Sequence, residues 1–191
     1  IMKIIIDGCS SVEFADSTLK LMKRMYSMPK LIRYGIVNVD SIDYRFMVRE
    51  LSDGIRLSEF LKDGSVYSWD EAVIIMQQVL CALGVMHTRG IIHNDVTPRN
   101  VIVDVYDATL VGFGHLSSES SGGRARFKMN DLNPWYMAPE TMRHRFNVRS
   151  DIFSAGALMY TMLFGVEPWF DEKLEVDSVA ALREARRKSV Q

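Results

Sequence analysis

The residues of this chain best suited to chemistry lie in "HNDVTPRN", His93 to Asn100. An aspartate held on a tight loop can take a proton from an attacking hydroxyl, and Asp95 is such a residue. Five positions on, Asn100 carries an amide oxygen that is a fair ligand for a hard cation. Between them, where a positive charge would help to move a phosphate, stands Thr97. Each residue also has a plainer reading. An aspartate can tie the loop's own amides together, and an asparagine can cap a turn.

Such a loop must be held by something rigid. A short strand, Val101 to Val103, and another, Thr109 to Val111, flank "DVYDA" and predict a hairpin directly after it. Before it, Ser68 predicts the cap of a long helix, Trp69 to about Arg89, with Asp70 and Glu71 in the first turn. Its expected buried stripe is Val73, Met76, Val79, Leu80, Leu83 and Met86. After the loop come the Ser- and Gly-rich tract Leu116 to Arg126, expected to be flexible, and an apolar helix from about Asp151 to Phe164. The tail, Asp171 to Gln191, suits a final helix.

The first fifty residues read differently. "IMKIII" is a β-branched run containing Lys3, hence a strand. Phe14, Leu19, Met22 and Met25 recur at helical spacing between Ser11 and Met28, and Pro29 ends that helix. "LIRYGIV" and "YRFMVREL" predict two strands around a polar turn, Asn38 to Asp43.

Composition narrows the function classes. With 191 residues, 48% hydrophobic and 25% charged, the chain is a folded domain or a small pair of lobes. A net charge of −1 gives no pull toward nucleic acid or an anionic membrane. Cys9 and Cys81 offer neither a disulfide framework nor zinc spacing, and are expected as buried free thiols. The apolar run Ser154 to Val166 is too short to span a bilayer. No signal-peptide pattern opens the sequence, and Ile1 reads as a cut or interior start.

Taken in order, these stretches resemble a eukaryotic protein kinase domain. "IMK" looks like the strand whose lysine holds the ATP phosphates, and "GIIHNDVTPRNVIV" resembles the catalytic loop. "GFG", Gly112 to Gly114, stands where the family has Asp-Phe-Gly. "PWYMAPE", Pro134 to Glu140, is similar to the end of the activation segment, and "SDIFSAGALMYTMLFGVEPW" to the central helix of the large lobe. The resemblance implies an α+β, bilobal protein-kinase-like fold. Residues 1–53 would form a small, incomplete N-terminal sheet lobe, and residues 54–191 a mainly helical C-terminal lobe. A glycine-rich loop before Lys3 and the last helices after Trp169 are not recognised.

Residue by residue, the resemblance makes Asp95 base-like and Asn100 a metal ligand. Lys3 would hold the phosphates, Ile102 would lie under the adenine, and Arg49 beside Glu50 would stand at the gate of its pocket; a slip of one would put Val48 there. His93 and Phe113 match the two residues that stack between the lobes, while Glu140 and Asp151 match braces of the large lobe. The charges are thinned. Gly112 replaces the metal-binding aspartate, Thr97 the loop lysine, and Asn94 the arginine that grips a phosphorylated activation segment. Asn133 replaces the threonine that bonds the catalytic aspartate. The partner expected for Lys3 falls at Thr18 or Leu19, with Glu13 and Asp16 lying early. Asp104 and Asp107 belong to the hairpin's far end and are no substitute.

The expected function is therefore a pseudokinase that regulates or scaffolds another protein, with weak ATP binding and impaired or absent magnesium binding. The alternative is an active but atypical serine/threonine kinase using Asp95 and Asn100. A small-molecule phosphotransferase is disfavoured by "PWYMAPE", which resembles a peptide-docking segment. The cytoplasm is favoured, although a secreted effector of this fold would read the same.

Overall fold

The computed structural model describes residues 3–5, 27–119 and 131–169. The expected helix between Ser11 and Met28 falls mostly outside the described residues, as do Cys9 and the tail helix from Asp171.

The first sheet has the order β1 (Lys3–Ile5), β3 (Ile42–Arg49), β2 (Leu31–Val39), all antiparallel. The turn between β2 and β3 is shorter than its polar composition suggests. Val39 pairs with Ile42, leaving only Asp40 and Ser41, both at positive φ (51° and 65°). Two left-handed residues give the turn a twist that matches the flanking strands, so the polar residues on either side are drawn into the ladder.

The chain then changes sheet. β4 (Ile55–Arg56) pairs with β6 (Val101–Asp104), and β6 pairs with β7 (Asp107–Leu110). Asp104 opposite Asp107 closes a tight hairpin at the end away from Asn100. β5 (Ile91–Ile92) pairs with β8 (Ser117–Ser118), so the loop His93 to Asn100 is clamped between two small sheets. That pairing corrects the expectation of flexibility from Leu116 onward. Leu116 and Ser117 are buried, 4% and 6% exposed, because Leu116 joins the main core and Ser117 pairs with Ile92; residues 120–130 are not described.

Among the described residues there are three α-helices, α1 (Leu57–Phe60), α2 (Trp69–His87) and α3 (Val148–Phe164), alongside short 3-10 turns. α2 starts as its sequence predicts, with a reciprocal cap. Ser68 Oγ accepts from the Glu71 amide, and the Ser68 amide donates to the Glu71 carboxylate at 2.9 Å. The Ser68 hydroxyl, donating to the Glu71 carboxylate at 2.7 Å, and then the Ser68 amide hold that carboxyl below the usual range. The buried stripe runs through Ala72, Ile75, Met76, Val79, Ala82, Leu83 and Met86. Val73 is only partly buried, and Leu80 and Cys81 are exposed, so these three expectations are corrected. The stripe is rotated by about one residue because the small Ala72 and Ala82 face inward, where they allow close packing. α2 also has the length and hydropathy of a membrane-crossing helix, yet this stripe packs into the core.

α3 begins three residues earlier than its apolar run suggests. Asn147 caps it by accepting from the Arg149 amide at 2.8 Å, and Ser150 returns a bond to the Asn147 amide. α2 and α3 enclose the main core with Leu57, Val101, Leu110, Phe113, Leu158 and Met162. Burying each large apolar side chain contributes roughly 1.5–3 kcal/mol. A smaller cluster, Ile92, Leu132, Met137, Met142 and Phe146, seats the segment leading to α3.

Candidate active site

Asp151, on the first turn of α3, organises the loop from below. It is fully buried, and its two oxygens accept from the His93 and Asn94 amides at 2.8 Å each. His87 Nε2 lies 2.8 Å from the same carboxylate. One carboxylate thus ties α2 and the loop to α3, and charge-assisted bonds of this kind are about twice as strong as neutral ones.

His93 is buried and acts as a spacer. Its Nδ1 accepts from the Asp95 amide at 3.2 Å, so the proton sits on Nε2, which donates to the Val111 carbonyl at 3.0 Å. Burial pushes the imidazole pKa down, outweighing the nearby carboxylates. The ring meets Phe113 edge-on, 5.6 Å between centroids. His93 therefore fixes the loop against the residue that follows Gly112.

Asn94 takes the left-handed conformation, φ 68°. Its Nδ2 donates to the His115 carbonyl at 2.7 Å and to Ser117 Oγ at 2.8 Å. A residue matched to a phosphate-gripping arginine is here an internal strut between the loop and β8. Its Oδ1 is buried without a hydrogen-bond partner among the described residues. Asn94 lines a cavity of about 10 Å³, enough for one water.

Asp95, Asn100 and His115 meet. Asn100 Nδ2 donates to Asp95 Oδ2 at 2.7 Å and to the Asp95 carbonyl at 2.8 Å. His115 Nδ1 lies 3.2 Å from the same Oδ2, and the Asp95 side chain is 17% exposed. Gly112 makes this arrangement possible. Its φ is 85°, and a Cβ placed there would overlap Oδ1 and Cγ of Asn100 and come within 2.6 Å of Nδ2. The Asn100 side chain occupies the room that any larger residue at 112 would need.

The remaining matched residues stand apart. Thr97 is buried, 4% exposed, and Asn133 Oδ1 accepts from the Trp135 amide at 3.1 Å, capping its own turn. Ile102 is 7% exposed. Arg49 is buried at the end of β3, its Nη1 donating to the Glu50 carbonyl at 3.2 Å, while Glu50 pairs with Lys30 at 3.5 Å. The backbone of Lys3 pairs with Arg49. The Lys3 side chain lies outside the described residues, as do Glu13, Asp16, Thr18 and Leu19. Asp104 and Asp107 sit at the far end of the hairpin. His115 is the site residue that sequence reasoning missed; its signal was a histidine immediately after Gly112 to Gly114.

The model of the protein kinase domain matches residues 11–190. The chain belongs to the protein kinase family. Among its relatives, calcium-dependent protein kinase 6 of Plasmodium berghei is 33% identical over 126 residues, which are 63% of this chain and 8% of that protein. CDPK-related kinase 3 of Arabidopsis thaliana is 29% identical over 167 residues, 84% of this chain and 27% of that protein. The probable serine/threonine-protein kinase PknB of Lactococcus lactis is 27% identical over 158 residues, 78% of this chain and 25% of that protein. The chain thus spans 8% to 27% of the length of these three relatives. As a kinase domain it has, among the described residues, the small sheet region and the helices of that fold. Kinase domains in general bind ATP and magnesium.

Proposed function

We propose that this kinase domain is a pseudokinase, a module that regulates or scaffolds another protein and transfers phosphate poorly or not at all. The observation that carries the reading is the overlap at Gly112. Kinases hold magnesium between the β- and γ-phosphates with a carboxylate at that position. Here there is no carboxylate, and the Asn100 amide turns toward Asp95 through two hydrogen bonds. A donor set of one asparagine oxygen, with no carboxylate at position 112, fits magnesium poorly, since the ion demands near-octahedral oxygen ligation. Among the described residues no three His, Cys, Asp or Glu side chains come together to replace it.

The other substitutions support the same reading. Thr97 is buried and neutral, so developing charge on a phosphoryl group meets no cation at that position. Asn94 braces β8 instead of gripping a phosphate. What remains, Asp151, His93 and the two cores, maintains a shape. ATP binding is accordingly weak and nearly indifferent to magnesium.

One observation favours a second reading, an active but atypical serine/threonine kinase: Asp95 keeps a partly exposed carboxylate with His115 beside it. Thermal shift with ATP, with and without magnesium, separates the two. A ligand raises the melting temperature by an amount set by its affinity for the folded state. The pseudokinase reading expects a small shift unchanged by magnesium; a large shift seen only with magnesium supports the alternative.

A further inference from the structure

We propose that the cleft beside Thr97 binds an acidic segment of a partner protein. This deepens the reading above and rests on its protein-binding half. The cleft encloses about 320 Å³, in the range that takes ligand side chains. Its walls come from the turn after α1, from Thr97 to Arg99 of the loop, and from the end of α3. It shares Thr97, Asn133 and Tyr136 with the small cavity that Asp95 also lines, so the cleft adjoins the Asp95 loop.

The charge in the cleft is lopsided. Lys62 and Arg99 line it, both exposed, and neither forms an ion pair with a described residue. Glu167 is the single carboxylate among the described lining residues. A third cation stands close by, because the Arg56 guanidinium donates to the Arg99 carbonyl. Tyr136, on the opposite wall, is neutral: burial raises its phenol well above the usual range, and its hydroxyl bonds Thr161 at 3.1 Å. Leu61 and Pro98, both buried, are apolar residues in its lining. A mainly polar cleft lined by exposed, unpaired cations suits a peptide carrying Asp or Glu. A Lys- or Arg-rich peptide would meet like charge and lose affinity.

The test uses the purified chain and two fluorescent peptides of equal length, each with one serine. One is flanked by Asp and Glu, the other by Lys and Arg. Polarisation should show the acidic peptide binding at least tenfold tighter at 50 mM salt, with the gap narrowing at 500 mM as the charges are screened. Lys62→Glu with Arg99→Glu should reverse the preference. The milder Arg99→Ala should weaken the acidic peptide several-fold with an unchanged melting temperature. Equal affinities, a preference for the basic peptide, or no binding of either would overturn the proposal. Phosphate transfer to the same peptides is followed in parallel. Transfer would contradict the pseudokinase reading and leave the charge preference intact, so the two ideas fail separately.

Discussion

The side chain of Asn100 fills the space that a Cβ at Gly112 would occupy. With Asn100 placed as it is, any side chain at position 112 requires the Asn100 side chain to move.

Gly112→Ala should destabilise the fold by roughly 2–5 kcal/mol. A left-handed L-residue costs about 1–2 kcal/mol and overpacking about 1–3 kcal/mol. Adding Asn100→Ala should return the overpacking share and leave the backbone share. Urea denaturation of the single and double variants measures both; an unchanged midpoint for Gly112→Ala would contradict the overlap. Gly112→Asp meets the same obstacle, so regaining magnesium-dependent nucleotide binding requires Asn100 to move as well.

Asp151→Ala should cost about 3 kcal/mol or more, because it leaves the His93 and Asn94 amides without their acceptor. Asp151→Asn keeps one acceptor oxygen and should cost less. The two denaturation midpoints check the order, and a smaller loss for alanine would contradict the anchoring role.

Stability should fall as the medium is acidified below about pH 6.5, the ordinary histidine pKa. His93 is held neutral in the folded state with its pKa lowered, so the unfolded chain takes up a proton first. That contribution is complete above the unfolded pKa and is lost as pH drops toward the folded one. Melting temperatures between pH 7.5 and 5 should show the slope, and His93→Gln should flatten it.

How much of this was legible in the sequence differs by scale. The α2 boundary was readable because Ser68 and Glu71 make their cap from neighbours in the chain. The hairpin after Asn100 was readable for the same reason. The inward face of α2 was misread at Val73 and Leu80, since Ala72 and Ala82 can be buried without announcing it as larger residues do. The cap of α3 was overlooked because Asn147 precedes the apolar run by several positions. At the site, the missing carboxylate at Gly112 and the neutral Thr97 were plain from residue types. The overlap of Asn100 with Gly112, and the approach of His115 to Asp95, were not. Both depend on φ at Gly112 and on β5 pairing with β8, which bring residues 12 to 20 positions apart into contact.

The central claim is that this kinase domain does not move phosphate efficiently. Labelled transfer from ATP with magnesium to a serine/threonine peptide measures it most directly, comparing the chain with its Asp95→Asn variant. The account predicts a signal near background for both proteins, with no difference between them. Robust transfer by the chain, abolished in Asp95→Asn, would contradict it and establish an active kinase.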